Sequence, residues 1–191
     1  IRGLRTRSIG VGGDSHVKWE NGGVVIGPER DGPAAALGGL FATPTDAMIL
    51  LNLTDLGERQ RSVAAISPLA AHMGCSVEEA ARRIFAATCE KIVHHVRRFI
   101  EEVNNQPVYT IHEMLEGRKL DPKELYLVGG PAQVMAGPLA ELLSCVPLIP
   151  KHAEVANAIG AALARTTAEI TLLADTERRT LTIGEEGTVT T

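Results

Sequence analysis

The most regular pattern in the chain lies at residues 76–104, where apolar side chains return every three or four positions and charged residues fill most of the others. This spacing places the apolar residues on one face of an α-helix. Ser76 and Glu79 also fit a capping box, in which each side chain bonds the backbone N–H of the other. The pattern therefore predicts one long amphipathic helix over residues 76–104.

The first third of the chain carries short apolar runs that are typical of β-strands. They lie at residues 6–12, 16–20 and 23–26. Asn21 and Gly22 separate the last two runs, and this dipeptide favours a tight hairpin because both residues tolerate positive φ. Residues 27–45 are rich in proline and glycine, so they are predicted to form mostly loop.

The second half of the chain alternates strand and helix patterns, which implies parallel strands covered by helices. The predicted elements are a short helix after Pro107, a strand at 124–128, a helix at 132–143, a strand at 146–149, a helix at 153–174, an edge strand at 179–183 and a tail at 184–191. With the hairpin, they predict an α/β fold in which helices cover a mixed sheet that has an N-terminal antiparallel hairpin.

Composition narrows the classes of partner and compartment. The 191 residues carry a formal net charge of -4 without a basic run, so a nucleic-acid partner is not expected. No stretch approaches the length of apolar sequence that spans a membrane. The three cysteines lack CxxC spacing, which favours a reducing compartment and a cytoplasmic location. None of the six histidines has a partner at metal-ligand spacing.

Two glycine-rich turns are the candidate sites of chemistry. Residues 8–15 (SIGVGGDS) form an apolar run that ends in two glycines, an aspartate and a serine. Glycine lets backbone N–H groups approach phosphate oxygens, and a carboxylate holds magnesium or its waters. Residues 127–131 (LVGGP) end a buried strand at the start of a helix, where polar ligands bind in open α/β sheets. A plain structural turn is the alternative interpretation of each motif.

Six motifs, in order along the chain, resemble those of the A-type subunits of the hydantoinase/oxoprolinase family. They are residues 8–15, 27–36 (GPERDGPAAA), 43–47 (TPTDA), 76–81 (SVEEAA), 127–130 (LVGG) and 155–161 (VANAIGA). The resemblance extends to about residue 165. It implies an actin-like, ribonuclease-H-like ATPase fold of two lobes, with ATP bound between them.

The resemblance also implies roles for the first glycine turn. The residues that match the family's second phosphate-binding motif are Gly12, Gly13, Asp14 and Ser15. Asp14 is the implied magnesium ligand and a candidate catalytic residue. Many relatives carry another glycine in place of Asp14, so this position marks either divergent chemistry or lost activity.

Two further parts of the site follow from the same resemblance. Gly129 and Gly130 match the motif near the adenosine, although residues 131–135 depart from its usual glycine-containing continuation. Asp46 matches a Thr-Asp motif and is the second candidate catalytic residue. It is expected either to orient a substrate or to order the loop before it.

The resemblance implies that residues 1–175 are the second lobe of the ATPase and that residues 176–191 add an edge strand and tail. The first lobe, with its own phosphate motif, is expected outside this chain. The implied activity is ATP-dependent opening of cyclic amides of the hydantoin or 5-oxoproline type. A ketone carboxylase subunit and a non-catalytic actin-like assembly module are the alternatives. The implied partners are the first lobe, a B-type subunit and further copies of the chain.

Overall fold

The computed structural model describes residues 5–105, 119–164, 172–178, 180–183 and 187–190. The chain divides into two compact units, Ile1–Ala156 and Asn157–Thr191. The described helices and strands, in chain order, are β1 (Val17–Glu20), β2 (Gly23–Ile26), α1 (Pro44–Leu50), α2 (Arg59–Met73), α3 (Val77–Asn104), β3 (Glu124–Tyr126), α4 (Ala132–Leu143), β4 (Val146–Leu148), α5 (Ala156–Leu163), β5 (Leu172–Asp175), β6 (Thr180–Ile183) and β7 (Gly187–Thr190).

The N-terminal hairpin confirms the turn predicted from its sequence. β1 and β2 pair antiparallel, with Val17 opposite Ile26, and both of these side chains are buried. Asn21 and Gly22 adopt φ angles of 52° and 78°, as a tight hairpin turn requires. The strand predicted at residues 6–12 is absent, because this segment forms a loop instead.

Three helices form the main core of the first unit. α1, α2 and α3 pack against one another around the fully buried side chains of Ile66 and Ile84. α3 confirms the long helix predicted from periodicity, and the Ser76 hydroxyl accepts a hydrogen bond from the Glu79 N–H at 3.1 Å. The Glu79 carboxylate pairs with arginines of α3. No helix in the described ranges is both long and apolar enough to cross a membrane.

The predicted strand-helix-strand unit is confirmed, with shorter strands. β3 pairs parallel with β4, and α4 connects them over the residues predicted. α4 packs on α3 through a second apolar cluster that includes Val93, Met135 and Leu139. β3 ends at Tyr126 rather than at residue 128. This unit places the 129–130 turn at the N-terminal end of α4.

The sequence predicted a single mixed sheet. This prediction is wrong, because the described strands form three small separate sheets. The hairpin does not join the parallel pair. Its strand β2 packs instead against α3, where the Lys91 ammonium donates a hydrogen bond to the Ile26 carbonyl.

The end of the chain also differs from its prediction. The helix predicted at 153–174 is a short 3-10 turn at Ala153–Val155 followed by α5, and its last predicted residues lie in β5. β6 is the central strand of an antiparallel sheet with β5 and β7. The predictions of an edge strand at 179–183 and of a tail at 184–191 are therefore wrong. Asp175 explains the turn, because its carboxylate accepts hydrogen bonds from two following N–H groups. The short helix predicted after Pro107 falls largely outside the described residues.

Candidate functional site

The first glycine turn, residues 12–15, is closed by its own serine. The Ser15 hydroxyl accepts a hydrogen bond from the Gly12 N–H at 2.9 Å, and the Ser15 N–H donates to the Gly12 carbonyl at 3.1 Å. Ser15 is only 3% exposed. Its hydroxyl therefore shapes the turn from inside. Among the described residues, the backbone N–H groups of Gly13 and Asp14 have no hydrogen-bond partner, so both remain available to a ligand.

Gly13 fixes the 12–15 turn against the start of α1. Its carbonyl accepts a hydrogen bond from the Thr45 N–H at 2.9 Å. A Cβ atom at Gly13 would lie 2.7 Å from the Thr45 Oγ1, closer than real Cβ contacts. The packing of the turn against Thr45 therefore disfavours a side chain at this position, independently of any ligand.

Asp14 lies at the surface of the turn beside an arginine that the sequence analysis did not select. The Arg30 guanidinium donates to its carboxylate at 2.8 Å, and the two side chains are 63% and 29% exposed. No group of three or more potential metal-ligating side chains occurs in the described ranges. Magnesium is commonly held by one or two carboxylates together with phosphates and waters, so Asp14 fits such an ion only if a bound polyphosphate completes its coordination.

Asp46 occupies a completely different environment. Its side chain is fully buried, and its carboxylate accepts five hydrogen bonds from four residues. The donors are the N–H groups of Ala35, Ala36 and Thr43 and the hydroxyls of Thr43 and Ser62, at 2.7–3.0 Å. Thr43 and Asp46 also form the capping box of α1. In this arrangement Asp46 orders the loop that precedes α1 and has no face open to a substrate.

The second glycine turn, residues 129–130, connects β3 to α4. Gly129 has a φ of 107°, which favours glycine, and its N–H donates to the Ala153 carbonyl at 2.7 Å. A Cβ atom at Gly130 would meet nothing within 4 Å. Gly129 therefore serves the backbone geometry, whereas Gly130 faces open space that a ligand can enter.

One cavity lies between the first glycine turn and the start of α4, and neither Gly129 nor Gly130 lines it. It has a volume of about 150 Å³, and its walls come from the 12–15 turn, the start of α1, α3 and the start of α4. The residues that line it are Val11, Gly12, Gly13, Pro44, Met48, Phe85, Thr88, Ile92, Pro131 and Met135. Its surface is mostly apolar, and its one hydroxyl, on Thr88, donates to the Ile84 carbonyl. Ligand sites generally occupy roughly 300–1,000 Å³, so this cavity accommodates only part of a nucleotide.

Neither a histidine nor a cysteine adds a reactive group here. Burial, with a smaller contribution from the nearby Glu90 carboxylate, raises the pKa of the Cys89 thiol to about 11, so this thiol is protonated near neutral pH. His16, 6% exposed, follows the 12–15 turn and accepts a hydrogen bond from the Asp31 N–H through Nε2. It holds a loop in place. The cavity walls contributed by α3 were missed in the sequence, because their residues appear there only as the apolar face of a helix.

Comparison with known proteins shows where this architecture occurs. No curated protein matches the chain. A solved structure of an acetone carboxylase in a nucleotide-free state is similar, with a TM-score of 0.61 and 22% sequence identity over 86% of this chain. The chain spans about a quarter of that protein, with 24% of its length covered. The family model for hydantoinase/oxoprolinase proteins matches residues 1–170. This chain therefore belongs to the hydantoinase/oxoprolinase family.

Proposed function

We propose that this chain is the second lobe of an actin-like ATPase and supplies part of an ATP site for ATP-dependent opening of cyclic amides. The observation that carries the proposal is the shared cavity, at which the 12–15 turn and the start of α4 meet. In this proposal the N–H groups of Gly13 and Asp14 contact phosphate, and Gly130 lies beside the adenosine. Family membership and the likeness to an acetone carboxylase that works by ATP-dependent carboxylation support ATP as the ligand.

The chemistry that ATP supplies is activation of a carbonyl. Transfer of the γ-phosphoryl group to the amide carbonyl oxygen releases ADP and activates the carbonyl carbon towards water. Collapse of the water adduct breaks the ring C–N bond and leaves an acyl phosphate, which a second water hydrolyses to the carboxylate and phosphate. The protein's part in phosphoryl transfer is to position phosphates and stabilise developing charge. Here the unpartnered amides of Gly13 and Asp14 would bind phosphate oxygens, and Asp14 would hold magnesium, while Asp46 keeps the adjoining loop in one conformation.

A ketone carboxylase subunit is the second candidate function. The likeness to an acetone carboxylase favours it, since ATP there serves carboxylation. Both functions use the same proposed ATP site and differ in the substrate. Assays of ATP consumption with hydantoin, 5-oxoproline and acetone plus bicarbonate, on the protein assembled with its partners, distinguish the two.

The ATP site is tested by calorimetry with Mg-ATP and by phosphate release. The 191-residue chain should bind Mg-ATP weakly, because its cavity contacts only part of a nucleotide and each missing charge-assisted hydrogen bond costs about 1.5–3 kcal/mol. Adding the first lobe should raise the affinity by orders of magnitude. Gly13→Val and Asp14→Ala should each reduce both binding and hydrolysis in the two-lobed protein.

Gly137→Val is a matched control for the glycine substitution, because a Cβ atom at Gly137 in α4 meets nothing within 4 Å. Circular dichroism establishes that each variant is folded. If the two-lobed protein does not bind ATP, or if Gly13→Val and Asp14→Ala leave its activity unchanged, the phosphate assignment is wrong. The non-catalytic assembly module then replaces it.

We also infer the assembly and location of the protein. The proposed partners are the first lobe, a B-type subunit and another copy of the chain, since large apolar side chains such as Leu40 are strongly exposed and apolar patches favour association. The free cysteines support a cytoplasmic location. Light scattering at high protein concentration should detect a dimer or larger assembly, and a strict monomer would contradict the self-association.

A further inference from the structure

The loop that carries Arg30 is fastened to the residue that follows the 12–15 turn. The His16 N–H donates to the Glu29 carbonyl at 2.9 Å, and the Asp31 N–H donates to the His16 imidazole at 3.3 Å. The Gly27 N–H donates to the His16 carbonyl at 2.8 Å. Both neighbours of Arg30 are therefore held by one buried histidine, which fixes the backbone of Arg30 relative to the turn.

Close backbone packing adds to this attachment. A Cβ atom at Gly27 would lie 2.4 Å from the Gly10 carbonyl oxygen, and one at Gly10 would lie 2.7 Å from the Pro28 Cβ. These distances leave no room for side chains between the two segments. The turn and the loop 27–31 consequently behave as one structural unit, in which the Arg30 side chain extends toward Asp14.

The charges of the loop are arranged so that only the arginine faces the turn. The Glu29 carboxylate pairs with Lys18 at 3.2 Å, and a backbone hydrogen bond together with Lys18 lowers the pKa of Glu29. The Asp31 carboxylate lies 3.7 Å from the His16 Nε2. Arg30 contacts Asp14 through one terminal nitrogen. A guanidinium has five N–H donors, so most of those of Arg30 have no partner among the residues that the structure describes.

We propose that Arg30 is an additional phosphate-binding residue of the 12–15 turn and that Asp14 holds it in position until an anion binds. This inference rests on the proposed function of the turn, and it adds Arg30 to the residues proposed there to bind phosphate. Guanidinium groups bind phosphate through paired N–H donors, and the unpartnered N–H groups of Gly13 and Asp14 offer the same ligand further contacts. Exposed ion pairs contribute little stability, so Arg30 can leave Asp14 for a phosphate at small cost.

The test measures binding of tripolyphosphate, ATP and adenosine to the 191-residue chain in metal-free buffer. Amide chemical shifts of Gly13 and Asp14 report the titration. Arg30→Ala should weaken tripolyphosphate and ATP binding about tenfold and leave adenosine binding unchanged, because only the phosphate contact is lost. Arg30→Lys should retain part of the affinity. Asp14→Asn should strengthen tripolyphosphate binding without metal, since it removes a repelling carboxylate and releases Arg30.

Arg61→Ala is the matched control, because Arg61 is an exposed arginine with a single ion-pair partner, Glu58, at 3.0 Å. It should bind all three ligands like the unmodified chain. The proposal is overturned if Arg30→Ala binds tripolyphosphate normally, or if it loses adenosine affinity to the same extent as ATP affinity, which indicates a structural role. If the unmodified chain binds adenosine but neither phosphate compound, Arg30 has no phosphate to bind. If it binds none of the three, the proposed ATP site fails as well.

Discussion

Two aspartates that the sequence marks as catalytic candidates lie in opposite kinds of structure. Asp46 is fully buried and its carboxylate accepts five hydrogen bonds, whereas the Asp14 side chain is 29% exposed and pairs with one exposed arginine. A carboxylate whose acceptor sites are all filled stabilises the fold. One with free acceptor sites beside unpartnered N–H groups is available to a ligand. The residue type alone does not distinguish these two roles.

The origin of the donors explains the difference. Asp46 receives hydrogen bonds from the 3-10 turn at Ala35–Leu37, from the start of α1 and from Ser62 of α2, so it joins three parts of the chain. Asp14 contacts only a neighbouring loop. Loss of Asp46 should therefore affect folding, and loss of Asp14 should affect binding.

The largest expected effect is that of Asp46→Ala. The substitution leaves five buried N–H and O–H donors without an acceptor. Each buried donor left unsatisfied costs about 1–3 kcal/mol, so the total should be several kcal/mol. We expect a loss of this size in the free energy of unfolding, measured by urea denaturation. Asp14→Ala is the control and should lose less than about 1 kcal/mol. Similar values for the two variants would refute the distinction between the aspartates.

Gly13→Ala tests the turn itself and should have the next largest effect. The added Cβ atom would lie 2.7 Å from the Thr45 Oγ1, and such overpacking costs about 1–3 kcal/mol. In a Thr45→Ala background the same substitution should cost clearly less, because the clashing oxygen is gone. A double-mutant cycle on thermal unfolding measures this coupling. If the two substitutions have additive effects on stability, contact with Thr45 of α1 does not explain why a glycine occupies position 13.

Ser62→Ala should have an effect of about the same size, at the buried site. Its hydroxyl donates to the Asp46 carboxylate at 2.7 Å, and one lost buried hydrogen bond to a charged group costs about 1.5–3 kcal/mol. Ser67→Ala in the same helix is the comparison, because Ser67 is only partly buried and its hydroxyl donates to the carbonyl of Val63. Urea denaturation should place Ser62→Ala well below Ser67→Ala in stability.

The parts of the fold that the sequence predicted are those with strong local signals. α3 follows from nearly thirty residues of helical periodicity, and the hairpin follows from Asn21 and Gly22. The assembly of the strands was not predictable, because α3 rather than another strand packs against β2. The helix predicted at 153–174 failed because an alanine-rich segment has helical propensity beyond the point at which the described helix α5 ends.

The candidate site was likewise predicted only in part. The glycine pairs could be selected from sequence, and the structure brings the 12–15 turn and the start of α4 to one cavity. The burial of Asp46 depends on donors from Ala35, Ala36 and Ser62, at least ten residues away in sequence, so it could not be predicted. The inward hydroxyl of Ser15 depends on how the turn itself folds, which its residues alone do not specify. Arg30 lies within a motif of the resemblance but was not selected, since its relation to Asp14 arises from loops sixteen residues apart in sequence.

The smallest expected effect, that of Asp14→Asn on stability, completes the comparison. The substitution preserves the shape of the side chain and removes only its charge, so it isolates the ion pair with Arg30. Because exposed pairs contribute about 0–1 kcal/mol and are screened by salt, we expect a loss within about 0.5 kcal/mol in low salt and none in 1 M salt. Urea denaturation at the two salt concentrations measures this, with Arg30→Ala expected to behave in the same way. A loss above about 2 kcal/mol that persists in high salt would mean that Asp14, like Asp46, holds the fold together, and its availability to a ligand would then have to be abandoned.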